Sequence, residues 1–410
     1  MKSAPAIIAI FSTSILLGGF ALQGRAQSPQ PATSAVPALR QSAALDRLFR
    51  AGKAQSAWFS DDFLAQVSIE QIDTILSQLS ARLGSYENVT ATKGAYRIVF
   101  SKGYLPINVV RVNSSGQLNA LLLGSPVVVG QSLADATHAL TALPGKTSYI
   151  VLENGHEIAS ANQNISLGVG STFKLAILLA LRKQIEAHKR RWSDVVHPQR
   201  SWKSFPSGDL QSWPEGTTLT LETLASLMIS ISDNTATDSL LNILGRRAVE
   251  PYTFGNVPYM TTRNMFTLKS AEGAGLRETW RTGSVSTRRA IVAKLDAMPL
   301  PALADLDLAP ALSDIEWHYT NRQLCSLMAK VQDLPLMTIN PGIASAADWK
   351  RVAYKGGSDG GVMSMTAFLT AKNGTNFCAS ATENDDKRAI NESAFIGAFQ
   401  TVASQLGSRP

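Results

Sequence analysis

A serine followed three residues later by a lysine places the strongest constraint on this chain. Ser171-Thr172-Phe173-Lys174 comes after a glycine-containing run, 168–170, and before an apolar, helix-forming stretch, 175–181. If a helix begins at Ser171, then Lys174 lies one turn further on and on the same face. Its amine can then reach the serine oxygen, and an adjacent amine base makes a serine hydroxyl nucleophilic without a histidine. The tetrapeptide therefore predicts a nucleophilic serine at a helix start.

Two further motifs follow this tetrapeptide. Ser232-Asp233-Asn234 closes one apolar helical segment, 221–231, and caps the next, 235–244. Lys355-Gly356-Gly357 comes at the end of a predicted strand. A serine and a lysine at the first spacing occur by chance about once or twice in a chain of this length, so that motif alone is weak. All three motifs in this order, at helix and strand ends, form a strong signal.

The three motifs resemble those of the serine β-lactamase and penicillin-binding-protein superfamily, and class A most of all. That class carries S-x-x-K, S-D-N and K-T-G, so the first two motifs match unchanged and Lys355-Gly356-Gly357 is a variant of the third. The resemblance covers about residues 147–410. The preceding segment and the Lys-Gly-Gly-Ser ending are similar to a two-domain subset related to a protein of clavulanic acid biosynthesis. In that subset a small cystatin- or isomerase-like domain precedes the hydrolase domain.

The predicted fold class is α+β with two domains. Residues 1–26 read as a secretory signal peptide and 27–39 as a linker. Helical patterns and then short alternating strands predict a small α+β domain over 40–130. Residues 147–410 have strands towards both ends, helices between them and a final helix over about 392–406, which predicts one antiparallel sheet flanked by helices, the β-lactamase/D,D-peptidase-like arrangement. Export to a bacterial periplasm or the extracellular space follows, with no stable membrane span after signal removal.

The resemblance and the chemistry together assign roles. Ser171 is the nucleophile and Lys174 its general base, which must be buried or near cations to be neutral. Ser232 relays a proton to the leaving group, and Lys355 binds a substrate carboxylate and polarises Ser232. The predicted substrate-binding residues are Asn234, for a substrate amide, and Gly357 and Ser358, of which the Ser358 N–H is the second oxyanion donor beside that of Ser171. Asp233 is expected to tie backbone segments together.

Each motif also has a purely structural interpretation. Ser171 could be only a helix N-cap and Lys174 a surface lysine. Ser232-Asp233-Asn234 could be only a helix boundary, and Lys355-Gly356-Gly357 only a turn. A Ser-His-Asp hydrolase is the competing mechanism, but the chain has no Gly-x-Ser-x-Gly elbow. The histidines are therefore interpreted as structural or surface residues: His138, His156, His188, His197 and His318.

The sequence departs from class A where the acyl group would be released. That class deacylates with a glutamate in an E-x-x-L-N segment about 35 residues after the Ser-Asp-Asn motif. Here that region holds Leu268, and the nearest acids are Glu250, Glu272 and Glu278, of which Glu272 is the best candidate. Gly356 also removes the hydroxyl that helps hold a β-lactam carboxylate. Acylation is less affected than hydrolysis by these losses.

Three functions remain open. The first is a β-lactamase-type serine hydrolase acting through an acyl-enzyme on a β-lactam, an ester or an amide. The second is a D,D-peptidase or transpeptidase on peptidoglycan stem peptides. The third is a covalent sensor without turnover, or a binding protein that uses the 40–130 domain.

The net charge and the two cysteines limit which partners, metal sites and covalent links are expected. The net charge is +7, but no basic stripe is interleaved with aromatic residues, so nucleic-acid binding is not expected. No cofactor is expected. Cys325 and Cys378 have no His or Cys cluster beside them, which argues against a metal site. Export permits a disulfide between them, and two buried free thiols fit the pattern equally well. The oligomeric state is open.

Overall fold

A computed structural model describes residues 40–407, except 93–94, 125, 343 and 345–347. The predicted signal peptide, 1–26, and linker, 27–39, lie outside the described residues. The chain divides into two compact units, with the boundary between Gln131 and Ser132.

The first unit contains helices followed by an antiparallel meander, as the sequence predicts. Its helices and strands are α1 (Gln41–Ala51), α2 (Asp61–Leu64), α3 (Ile69–Leu83), β1 (Tyr86–Thr92), β2 (Ala95–Phe100), β3 (Gly103–Val112), β4 (Leu118–Leu123) and β5 (Val127–Val128). The strand order is β1-β2-β3-β4, with β5 paired to β3. A capping box of Ser68 and Gln71 begins α3.

The core of the first unit lies between its helices and its sheet. Leu45 and Leu48 of α1 and Leu76 of α3 are buried with Ile98 and Leu105 of the sheet. A cavity of about 780 Å³ opens between the helices and the first strands. The likeness of this unit to a cystatin- or isomerase-like domain stays a prediction.

The second unit combines helices with one large antiparallel sheet. Its helices are α4 (Leu133–Thr141), α5 (Lys174–Glu186), α6 (Leu221–Ser230), α7 (Asn234–Leu244), α8 (Arg246–Val249), α9 (Thr262–Leu268), α10 (Ala274–Thr282), α11 (Val285–Ala297), α12 (Asn321–Ala329) and α13 (Glu392–Gly407). Its strands are β6 (Lys146–Glu153), β7 (His156–Ala161), β8 (Leu167–Gly168), β9 (Val195–Val196), β10 (Leu219–Thr220), β11 (His318–Tyr319), β12 (Arg351–Asp359), β13 (Val362–Thr370) and β14 (Asn376–Asn384).

The large sheet has the order β12-β13-β14-β6-β7 and is antiparallel throughout. It is built from both ends of the unit, and the α+β prediction is therefore confirmed. Asn154 and Gly155 join β6 to β7 with positive φ angles of 49° and 87°, the conformation of the primed turn that an Asn-Gly pair favours. β12 is an edge strand, so one side of it has no strand neighbour in this sheet.

Two sets of helices cover this sheet. The central helices, with α5 buried along 174–181, form the larger apolar core. The final helix α13 and the helix α4 pack with the other face. The sequence pattern places the start of this domain near Thr147 and does not predict α4, whose short apolar stripe of Ala136 and Leu140 becomes buried only against α13 and β6.

Cys325 and Cys378 form a disulfide, with their Cα atoms 5.9 Å apart. Cys325 lies in α12 and Cys378 in β14. The bond therefore joins a central helix to the middle of the sheet, and of the two open alternatives the structure contains the bridge.

None of the helices between residues 40 and 407, outside the gaps, has the length and apolar content needed to cross a bilayer. The same residues contain no group of three or more His, Cys, Asp or Glu side chains that could bind a metal ion.

Candidate active site

Ser171 lies in a tight 3₁₀ turn, Gly170–Phe173, and α5 begins at Lys174. The expected helix start at Ser171 is therefore displaced by one turn. Gly170 has a left-handed φ of 48°, and a Cβ added to it would stand 2.7 Å from Ser358 N. The hydrogen bonds of Lys174 Nζ are made with Ser232 and Asn234, and among the described residues none joins it to Ser171.

Lys174 is completely buried. Its Nζ lies 2.5 Å from the carbonyl oxygen of Ser232, 2.7 Å from Asn234 Oδ1 and 3.1 Å from Ser232 Oγ. All three are uncharged oxygens. Burial, and then repulsion from Lys355, lowers the pKa of the Lys174 amine well below its ordinary value, and three more distant carboxylates only partly oppose this. The neutral amine needed in a general base is therefore favoured here.

Ser232 lies between two lysines. Its Oγ is 3.1 Å from Lys174 Nζ and 3.1 Å from Lys355 Nζ. Ser232 has a φ of 58°, which is uncommon for a residue with a side chain. Lys355 is buried, and burial lowers its pKa to about 7. The Ser232 hydroxyl thus bridges two amines whose pKa values are both lowered by burial, an arrangement suited to proton relay.

Asp233 ties backbone segments together, as the sequence indicates. Its Oδ1 accepts from the N–H of Ala236, 2.7 Å away, and so caps α7. Its Oδ2 accepts from the N–H groups of Asp209 and Leu210, both at 2.8 Å. The carboxylate is completely buried and thereby fixes the segment that carries Ser232.

Asn234 is the first residue of α7, and both polar atoms of its side chain form hydrogen bonds within the protein. Its Oδ1 accepts from Lys174, and its Nδ2 donates to the carbonyl oxygen of Phe205 at 3.1 Å. One amide hydrogen remains for a substrate. The observed arrangement makes Asn234 first of all a partner of Lys174.

Lys355-Gly356-Gly357 lies inside β12, and its expected position at the end of a strand is corrected. Pairing with β13 continues through Gly356, Gly357 and Ser358 to Asp359. Glycines end most strand patterns because they have no side chain to pack, but they are favoured where another backbone approaches closely. That is the situation here, since β12 contacts the turn that carries Ser171.

Gly357 and Gly170 let the two backbones meet. A Cβ on Gly357 would stand 2.4 Å from both Ser171 N and Val169 O. Together with the approach of Gly170 to Ser358 N, this brings the N–H groups of Ser171 and Ser358 to one contact between turn and strand. Two such donors are what an oxyanion hole requires.

None of the three acids considered for deacylation contacts Ser171, Lys174, Ser232 or Lys355 in the described part of the chain. Glu250 pairs with Arg289 at 2.7 Å. Glu272 and Glu278 are exposed, and the hydroxyl of Ser270 with a backbone N–H lowers the pKa of Glu272 below its ordinary value. Leu268 is completely buried in the core. A stabilised, exposed carboxylate such as Glu272 has no feature of a general base.

A second buried cluster was not predicted. Lys269 Nζ lies 2.5 Å from Asp359 Oδ2 and 3.9 Å from Glu316 Oε1, and these side chains are 1%, 9% and 1% exposed. Asp359 stands on the same face of β12 as Lys355 and Gly357, because alternate residues of a strand share a face. Lys269, Glu316 and Asp359 are distant in sequence and belong to no motif. The sequence offered one signal for this cluster, the even spacing of Lys355 and Asp359, which places both on one face of a strand.

Residues 133–292 match the beta-lactamase enzyme family. This segment contains Ser171, Lys174, Ser232 and Asn234, whereas Lys355 lies outside it. The match covers less than half of the chain. A comparison with curated proteins found no match.

Solved structures similar to this chain include a beta-lactamase from Sphaerobacter thermophilus, 23% identical, with a TM-score of 0.47 over 68% of this chain and 98% of that one. PBP-A is 18% identical, with a TM-score of 0.44 over 67% of this chain and 94% of that one. A beta lactamase from Xanthomonas campestris is 16% identical, with a TM-score of 0.46 over 67% and 95%.

Proposed function

We propose that this chain is an exported serine hydrolase of the β-lactamase type that forms a covalent acyl-enzyme on Ser171. The observation that carries the proposal is the environment of Lys174. Its amine is fully buried, contacts only uncharged oxygens, and has a pKa lowered well below its ordinary value. A buried lysine without a carboxylate partner has no evident structural purpose and is suited to accept a proton.

In the proposed reaction Lys174 takes the proton of Ser171 as the serine oxygen attacks a carbonyl carbon. The N–H groups of Ser171 and Ser358 stabilise the oxygen that becomes negative. When the tetrahedral intermediate collapses, the bond to the leaving nitrogen or oxygen breaks, and the Ser232 hydroxyl gives that atom a proton. Lys174 or Lys355 then returns a proton to Ser232, which lies 3.1 Å from each amine.

The substrate class is a β-lactam, an ester or an amide with a nearby carboxylate. Lys355 is the cation for that carboxylate, and Asn234 has one amide hydrogen left for the acyl side chain. We expect acylation to be faster than release, because Glu250, Glu272 and Glu278 are paired or exposed and Leu268 is buried.

Intact-mass spectrometry tests the proposal. The full chain is exposed to a fluorescent penicillin and, separately, to a chromogenic ester, and the adduct mass and its lifetime are recorded. We expect one adduct per chain, lost in Ser171→Ala and kept in Ser201→Ala, which changes an exposed serine. Turnover or labelling unchanged in Ser171→Ala would falsify the proposal.

The adduct lifetime and the released products distinguish the two other candidate functions, a covalent sensor and a D,D-peptidase. An adduct that persists without any turnover supports a covalent sensor, which the paired or exposed state of the three acids favours. Release of D-alanine from a stem peptide, without hydrolysis of the ester, supports a D,D-peptidase.

Export is part of the proposal and rests on residues 1–26. Lys2 and the apolar run that follows it support a cleaved signal. We expect the mature chain to begin at Gln27 and to appear in a periplasmic or extracellular fraction. Mass spectrometry of the fractionated protein tests this.

A further inference from the structure

Gly356 stands where the related motif carries a hydroxyl residue, and the side chain of Tyr354 reaches the same place. The two residues are two positions apart on β12 and share a face. A Cβ added to Gly356 would stand 2.4 Å from the Tyr354 hydroxyl oxygen and 3.1 Å from Cζ of the ring. The phenol hydroxyl therefore occupies the volume that a serine or threonine side chain would take at position 356.

The ring of Tyr354 is fixed while its hydroxyl is available. Gly342 approaches the ring so closely that a Cβ there would stand 2.2 Å from Cδ1, and the ring also packs against the core beneath α13. No described residue forms a hydrogen bond with the hydroxyl. Burial raises the pKa of Tyr354 above its ordinary value, so the hydroxyl keeps its proton and can donate at neutral pH.

Lys355 lies on the other face of β12 and reaches the same glycine. Lys355 Nζ donates to the carbonyl oxygen of Gly356 at 2.5 Å and lies 3.1 Å from Ser232 Oγ. Gly356 therefore has an ammonium group at its carbonyl and a phenol hydroxyl at its Cα. A cation and an uncharged O–H donor that both reach one residue of an edge strand are groups suited to recognising a carboxylate.

We propose that Tyr354 is a specificity-determining residue whose hydroxyl donates a hydrogen bond to the carboxylate of the substrate that acylates Ser171. The inference rests on the proposed function and names the substrate class more narrowly. The preferred substrates carry a carboxylate on the leaving-group side, and Tyr354 with Lys355 selects them. The missing hydroxyl of the third motif is thus supplied from two residues earlier on the same strand.

Two esters that differ only in charge test this. They are 3-(phenylacetylglycyloxy)benzoate and the corresponding benzamide, and kcat/KM for Ser171 acylation is measured with each. We expect the wild type to prefer the carboxylate. Tyr354→Phe should lower kcat/KM for the benzoate about tenfold, the worth of one hydrogen bond to a charged group, and change the benzamide less than about twofold.

Two further variants complete the test. Tyr149→Phe makes the same substitution on β6 of the same sheet and should leave kcat/KM unchanged for both esters. Tyr354→Phe/Gly356→Thr returns a hydroxyl to position 356 and should restore most of the preference. An equal loss with both esters in Tyr354→Phe, no preference in the wild type, or no restoration by threonine would each overturn the inference. If neither ester acylates Ser171 at all, it is the proposed function that fails.

Discussion

Three lysines are buried in the second unit, and the surroundings of two of them, Lys174 and Lys269, differ in one respect. Lys174 contacts a carbonyl, an amide oxygen and a hydroxyl, and the charged group with the largest effect on its pKa is another lysine, Lys355. Lys269 lies between two carboxylates, Asp359 and Glu316. Burial is the same in both, so the partners decide whether the lysine serves as a base or as half of an ion pair.

One strand connects the two clusters. Lys355, Gly357 and Asp359 are alternate residues on one face of β12. Lys355 belongs to the first cluster, Asp359 to the second, and Gly357 contacts the backbone at Ser171. Ser171 therefore lies beside a strand that meets a cluster of amines at one part and is fixed by an ion pair at another. We expect the first cluster to control reactivity and the second to control stability.

The largest expected effect follows from replacing Lys174. Lys174→Met removes the proton acceptor, and a general base contributes about 10²–10⁴-fold. We therefore expect the rate of Ser171 acylation to fall by that factor, while the free energy of unfolding falls less than in Lys269→Met. Timed intact-mass measurements and urea unfolding check both. Acylation within a few-fold of the wild type would show that Lys174 is not the base.

Replacing Lys269 should have the opposite profile. Lys269→Met leaves the buried Asp359 carboxylate without its cation, and breaking a buried pair in this way costs about 3–5 kcal/mol. Urea unfolding measures the loss. Lys183→Met is the matched control, because its pair with Glu186 is exposed and should be worth less than about 1 kcal/mol. Equal losses in the two variants would contradict the assigned role of the ion pair.

The contact between the clusters can be tested with two neighbouring glycines. The added methyl group of Gly357→Ala would meet the backbone at Ser171 and Val169, so we expect a loss of about 1–3 kcal/mol and slower acylation. In Gly356→Ala the methyl group meets the Tyr354 side chain rather than backbone, and the loss should be smaller than in Gly357→Ala. Urea unfolding of both variants decides; a larger loss in Gly356→Ala would refute the close approach at Gly357.

A final expected effect is on the pH dependence of stability. Burial lowers the pKa of Lys355 to about 7 in the folded chain, whereas an unfolded lysine titrates near 10.4. Between these values the unfolded chain binds the extra proton, so this group makes stability rise with pH by up to about 1.4 kcal/mol per unit. Lys355→Met should remove that contribution between pH 7.5 and 9.5. Parallel stability curves for variant and wild type would show that Lys355 is not perturbed.

Much of the fold was predictable because its signals are local. The capping residues before α3 and the Asn154-Gly155 turn mark element ends within a few residues of sequence. The α+β class follows from the order of such elements. By contrast, α4 was missed because its apolar stripe has only a few residues, and β12 was ended too early because Gly356 and Gly357 are favoured there by a neighbouring backbone rather than by strand propensity.

The sequence alone predicted Ser171, Lys174, Ser232 and Lys355 as site residues by their type and order, and that is all that it determined about the site. Only the tertiary structure decided their chemistry. Whether Lys174 is neutral depends on Ser232, Asn234 and Lys355, and whether Lys269 has carboxylate partners depends on Asp359, 90 residues away. The pKa of a buried group is set by dehydration and by charges within a few ångströms, and those neighbours come together only when the chain has folded.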